Sequence, residues 1–123
     1  MSKADPAAPA AMPILFDSSV SSWPAGFRGV VHDRHLLFVD HDFDVHLKIS
    51  SAEGNKELYG QVIPREPRKN SQSSIVTLLV QGKPAEKTTT ADFGEFSFRE
   101  IPTGNLAIEV MMATRRIMAF FSV

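Results

Sequence analysis

Ser74–Val110 reads SIVTLLVQGKPAEKTTTADFGEFSFREIPTGNLAIEV, and its punctuation decides the fold. Ile75 to Val80 is an apolar, β-branched run that Gly82-Lys83-Pro84 breaks. Lys87 to Thr90 forms a short Thr-rich strand, and Ala91-Asp92-Phe93-Gly94 turns the chain. Glu95 to Arg99 then alternates, with Phe96 and Phe98 on one face and Glu95, Ser97 and Arg99 on the other. Pro102-Thr103-Gly104-Asn105 turns again, after which Leu106, Ile108, Val110 and Met112 share a face. Period-two alternation between glycine and proline turns predicts antiparallel sheet with one wet face. Gly94 accepts a positive φ at no steric cost, so the chain can reverse and return Phe96 to the core.

Outward from this stretch the pattern continues. Arg34 to Val39 and Phe43 to Ile49 are predicted strands joined by Asp40-His41-Asp42. In the second, Phe43, Val45, Leu47 and Ile49 point in, while Asp42, Asp44, His46 and Lys48 point out. Ser51 to Lys56 makes a hairpin turn around Gly54-Asn55, and Glu57 to Ile63 pairs back with Leu58 and Tyr59 on opposite faces. Pro64 to Ser74 is a polar loop inside one domain, because neither half has enough strands to bury both faces alone. Ile117, Ala119 and Phe121 alternate with Met118, Phe120 and Ser122. That last strand is apolar on both sides, which suits a central strand or one capped by the tail. Phe27 to Val31 suits a strand or a lead-in, and Ile14-Leu15-Phe16 is a short apolar clip. Residues 1–13 are rich in alanine and proline and read as a disordered or extended tail, leaving 14–123 as a single domain. The fold class expected is all-β, an antiparallel Greek-key β-sandwich of about seven strands.

Thr90, Phe93-Gly94-Glu95-Phe96 and Ile101-Pro102-Thr103-Gly104 together resemble the carboxypeptidase regulatory-like domain. The resemblance covers about thirty-five residues. Ala91 stands where that family usually has Asp, and Leu106 where an aromatic is common. It implies a prealbumin-like seven-stranded sandwich, used as an add-on in many proteins, with structural rather than catalytic motif residues. Arg34–Phe38, Asp44–Ile49 and Leu58–Ile63 resemble the front half of small bacterial single-domain proteins with the same back half.

Composition narrows the function classes. At 123 residues the chain suits one domain with a core of its own. The net charge of −1 supplies no global field for nucleic acid or membrane, and Arg65, Arg68, Lys69 and Arg115-Arg116 form only small basic groups. With no cysteine, disulfides, thiolate catalysis and cysteine-held metals are excluded. MSKADPAAPAAMP lacks a signal-peptide core, and no run approaches the ~20 apolar residues of a membrane helix, so the expected location is the cytoplasm.

The sharpest cluster of chemistry is HDRHLLFVDHDFDVH, with all four histidines and four aspartates between His32 and His46. His35, His41, Asp42, Asp44 and His46 are candidate metal ligands, since imidazole and carboxylate together suit zinc, manganese, nickel or iron(II). No HExxH or comparable ligand motif accompanies them, and a solvated hairpin gives the same pattern, so no metal or other cofactor is expected. Prealbumin-like hydroxyisourate hydrolases end in Tyr-Arg-Gly-Ser, whereas this chain ends Phe120-Phe121-Ser122-Val123, and no G-x-S-x-G elbow is present. An adhesin-type isopeptide bond would need an asparagine in the last strand beside Lys48 and Glu109, and there is none. An enzyme is therefore not expected.

The leading expectation is a binding or accessory module that contacts a protein partner through edge strands or loops, with homo-oligomers open to it by the same edges. The Ile14–Phe16 clip and the C-terminal phenylalanines are candidate contact surfaces. The alternative is a carbohydrate-binding module using Trp23, Tyr59 and Phe93 as ring platforms. A third is a metal-dependent site on the hairpin 32–46.

Overall fold

The computed structural model describes residues 10–18, 33–52, 54–66, 73–112 and 115–123. Among them the chain forms ten strands: β1 (Ala10–Ala11), β2 (Ile14–Asp17), β3 (Arg34–Val39), β4 (Phe43–Ala52), β5 (Asn55–Pro64), β6 (Ile75–Val80), β7 (Lys83–Thr89), β8 (Glu95–Phe98), β9 (Asn105–Met111) and β10 (Arg116–Ser122). They make two five-stranded sheets, sheet A in the order β1-β10-β9-β6-β7 and sheet B in the order β2-β3-β4-β5-β8. All pairings are antiparallel except β1 with β10. The fold is all-β, as expected. No helix among the described residues is long and apolar enough to cross a membrane.

Alternation places the core between the sheets. Leu36, Val45, Leu47 and Leu58 of sheet B meet Val76, Leu78, Ile108 and Ile117 of sheet A in one apolar cluster with almost no exposure. Each such side chain contributes about 1.5–3 kcal/mol on leaving water. Phe96 and Phe98 point inward from β8 with their rings edge to face, and Leu106, Ile108 and Val110 share the buried side of β9. The inward and outward assignments on β4, β5, β8 and β9 therefore hold.

Four short crossings carry the chain between the sheets. Met12 and Pro13 carry β1 into β2; Met12 is buried, its amide donates to the Met118 carbonyl, and Pro13 accepts from the Val39 amide. Residues 10–13, expected within the tail, thus include β1 at the edge of sheet A, one of the three strands beyond the expected seven. Residues 65–74 carry β5 into β6, in part outside the described residues. Residues 90–94 carry β7 into β8, where buried Thr90 holds Ser74 by two bonds: its Oγ1 accepts from the Ser74 amide and its own amide donates to the Ser74 carbonyl. Residues 99–104 carry β8 into β9, and Gly104 exchanges both backbone bonds with Val123.

Two glycines mark close approaches. Gly94, at φ +81°, gives its carbonyl to the Val62 amide, and a Cβ there would stand 2.1 Å from the Val62 carbonyl oxygen. Gly60 faces Phe96 across β5 and β8, and a Cβ there would stand 2.1 Å from the Phe96 ring.

Two local expectations are corrected. β7 starts at Lys83 rather than Lys87, because Gln81-Gly82 completes the turn and Pro84 is tolerated on an edge strand. β4 and β5 stay paired as far as Ala52 with Asn55, so both strands run into the expected turn Ser51–Lys56. β10, expected to be central or capped by the tail, lies between β9 and Ala10–Ala11 of that tail. The expected strand Phe27–Val31 lies outside the described residues.

Candidate functional site

Sheet B turns a polar face to solvent, and the hairpin of β3 and β4 supplies its chemistry. Outward positions on β3 include His35 and Leu37; those on β4 include Asp44, His46 and Lys48, with Leu37 paired to His46 and His35 to Lys48. His35 and His46 are diagonal neighbours in this register. Their rings meet with Nδ1 of His35 3.2 Å from Nε2 of His46, centroids 5.3 Å apart and planes within 18°. Burial pushes the His46 imidazole below its ordinary value, and the neighbouring His35 and Lys48 charges push the same way.

The other candidates of the cluster go elsewhere. Asp44 pairs with Arg65 at 2.8 Å. Asp42 pairs with Arg115 at 3.0 Å, and the same guanidinium takes Asp40 in a two-point grip at 2.6 and 2.7 Å. That grip holds the Asp40 carboxyl below the usual carboxylate value. His41 is exposed in the turn between β3 and β4, and His32 lies outside the described residues. Among the described residues no three His, Asp or Glu side chains converge as ligands of one ion.

Sequence reasoning did not anticipate that the acids serve as anchors for arginine. Arg115, just ahead of β10, reaches the turn after β3. At the far end Arg34, the first residue of β3, holds Asp17 of β2 through Nε at 3.0 Å and Nη2 at 2.7 Å, and donates from Nη1 to the Ser122 carbonyl at the end of β10. β3 and β10 are thus tied across the sandwich at both ends. The partners are 17 to 88 positions apart in sequence, so no local spacing signals them.

The three ring platforms fare differently. Trp23 lies outside the described residues. Tyr59 is exposed on β5, but Lys48 Nζ sits 5.1 Å from its ring centroid and its hydroxyl donates to Glu57, which raises the phenol's pKa. Phe93 is 77% exposed at the tip of the crossing into β8, its carbonyl accepting from Gln61 Nε2 at 3.0 Å. Lys48 and Glu109 stand on the outer faces of different sheets, the latter bonded to Arg116, so they cannot meet in an isopeptide bond.

The outer face of sheet A carries exposed apolar side chains beside an ion pair. Ile75 on β6 pairs directly with Met111 on β9, and Phe120 on β10 pairs with Ala107. Ile75, Met111 and Phe120 are 45%, 39% and 57% exposed. Met118, Glu109 and Thr77 fill the row between them, Met118 and Thr77 buried, with Leu79 in the row of Phe120 and Arg116 pairing with Glu109 on the same face. The signal was present in part: β10 is apolar on both sides, and Ile75 to Val80 does not alternate. On β2, Ile14 and Leu15 are exposed along the edge of sheet B. Comparison with protein-family models, curated proteins and solved structures returns no match, so the site is known by its own geometry alone.

Proposed function

We propose that the chain is a non-catalytic, protein-binding sandwich of the carboxypeptidase regulatory-like kind, with Greek-key connections and a cytoplasmic place of work, and that the outer face of sheet A is its contact surface. The observation that carries this is the set of Ile75, Met111 and Phe120, exposed on three adjacent strands of one face. Large apolar side chains left exposed together on a folded domain mark interaction sites, and Ile75 and Met111 are paired directly on this face. The motif residues support a non-catalytic role, because Thr90, Gly94 and Gly104 all serve turns and crossings.

A face is a better contact here than an edge. β7 carries Lys83, Pro84 and Lys87 along its exposed length, the devices that discourage strand addition, and β8 has only four residues. Carbohydrate binding has less support, since Lys48 already rides on the Tyr59 ring.

The test is affinity purification of the full-length protein from its own cells, with Ile75→Lys, Phe120→Glu and Tyr59→Ala beside wild type. A stoichiometric protein held by wild type and Tyr59→Ala, and lost or weakened about tenfold or more by either face variant, supports the proposal. Equal recovery with both face variants, each shown folded by its melting curve, would sink it.

A further inference from the structure

We propose that His35 and His46 form a two-point chelate on the outer face of sheet B for a divalent cation that prefers imidazole, such as Zn(II) or Ni(II), with water completing the coordination. This site is separate from the contact face on sheet A. The geometry that points to it is the 3.2 Å between Nδ1 of His35 and Nε2 of His46. Two nitrogens at about 2.0–2.1 Å from one ion stand about 2.9 Å apart at a right angle and about 3.4 Å apart at the tetrahedral angle. The observed separation falls inside that bite.

The two histidines sit on adjacent antiparallel strands, β3 and β4, so the ladder fixes their separation rather than a loop. Nδ1 of His35 and Nε2 of His46 are at hydrogen-bonding distance, an arrangement that places one N–H between them. A cation takes that proton's place. Both nitrogens then give a lone pair to the ion, and the ring that carried the N–H moves its proton through solvent to its other nitrogen. Bringing the lone pairs onto one point needs only rotation about χ2, which is soft for histidine. Imidazole-rich, thiolate-free surroundings suit zinc and nickel rather than calcium or magnesium. The neighbouring ammonium of Lys48, which opposes a cation, is drawn over the Tyr59 ring.

The experiment uses full-length protein without a polyhistidine tag, titrated separately with Zn(II) and Ni(II) by calorimetry and by melting. One ion per chain should bind, and the melting temperature should rise by about 5 °C once free metal exceeds its dissociation constant tenfold. His35→Ala and His46→Ala should each remove that rise, whereas His41→Ala should keep it. No rise at millimolar metal overturns the proposal. So does a rise that survives His46→Ala, or one that His41→Ala abolishes. Melting of each variant without metal reports whether it is folded, and should one variant fail to fold, the other carries the test.

Discussion

Gly60 shows how one missing atom can be a structural element. Mid-strand glycine ordinarily weakens a sheet, since it costs backbone entropy and brings nothing to pack. Here the space it leaves is filled by the Phe96 ring, which comes over the backbone of β5 from β8. Gly60→Ala should therefore destabilise the fold by about 1–3 kcal/mol, the usual cost of overfilling a packed core. Denaturant melts of Gly60→Ala and of Gly60→Ala with Phe96→Leu would check it. The second variant should regain part of the loss, because a smaller side chain opposite makes room and the two sites are coupled. An additive pair would show that the ring is not what the new methyl meets.

At the scale of elements, β7 is the informative strand. It is exposed along almost its whole length and ends sheet A, yet it carries Pro84 and two lysines rather than the valines a strand prefers. That composition gives up strand propensity and discourages another chain from adding to the edge. Replacing Pro84 and Lys87 with valine should leave the melting temperature nearly unchanged but produce self-association visible by light scattering. Strands of this kind explain what sequence could and could not show. β4, β5, β8 and β9 were readable because each buries one face, so the solvent boundary is written into every second residue. β7 was half missed because its residues obey the needs of an edge, not of a core. β1 was missed as a strand, since two alanines in a proline-rich run carry no alternation, and only the apolar outer side of Ile117-Met118 at the other end of the chain pointed to a cap by the tail.

For the whole molecule, two arginines join what the strands leave apart. Arg34 and Arg115 join β3 to β2 and β10 and so tie sheet B to sheet A at opposite ends. Because Arg115 lowers the folded pKa of Asp40 below the ordinary 3.8, the pair stabilises the fold fully above that value. The contribution fades as pH falls through 3.8 toward the lower folded value, where Asp40 takes up its proton. Wild type should therefore exceed Arg115→Gln in stability by about 1 kcal/mol or less at neutral pH, a modest amount because the pair is partly solvated. The two should converge in acid, and parallel pH profiles would show that the pair is silent. The histidine cluster was legible as a concentration of chemistry, but which members meet was not: register brings His35 to His46, while arginines from distant segments take the acids. The parallel pairing of β1 with β10 has a mechanical consequence. β1 begins at one end of that pair and β10 finishes at the other. Tension applied between Ala10 and Val123 runs along the strands, so the bonds joining Ala10–Met12 to β10 are loaded together in shear and must yield at once rather than peel apart singly.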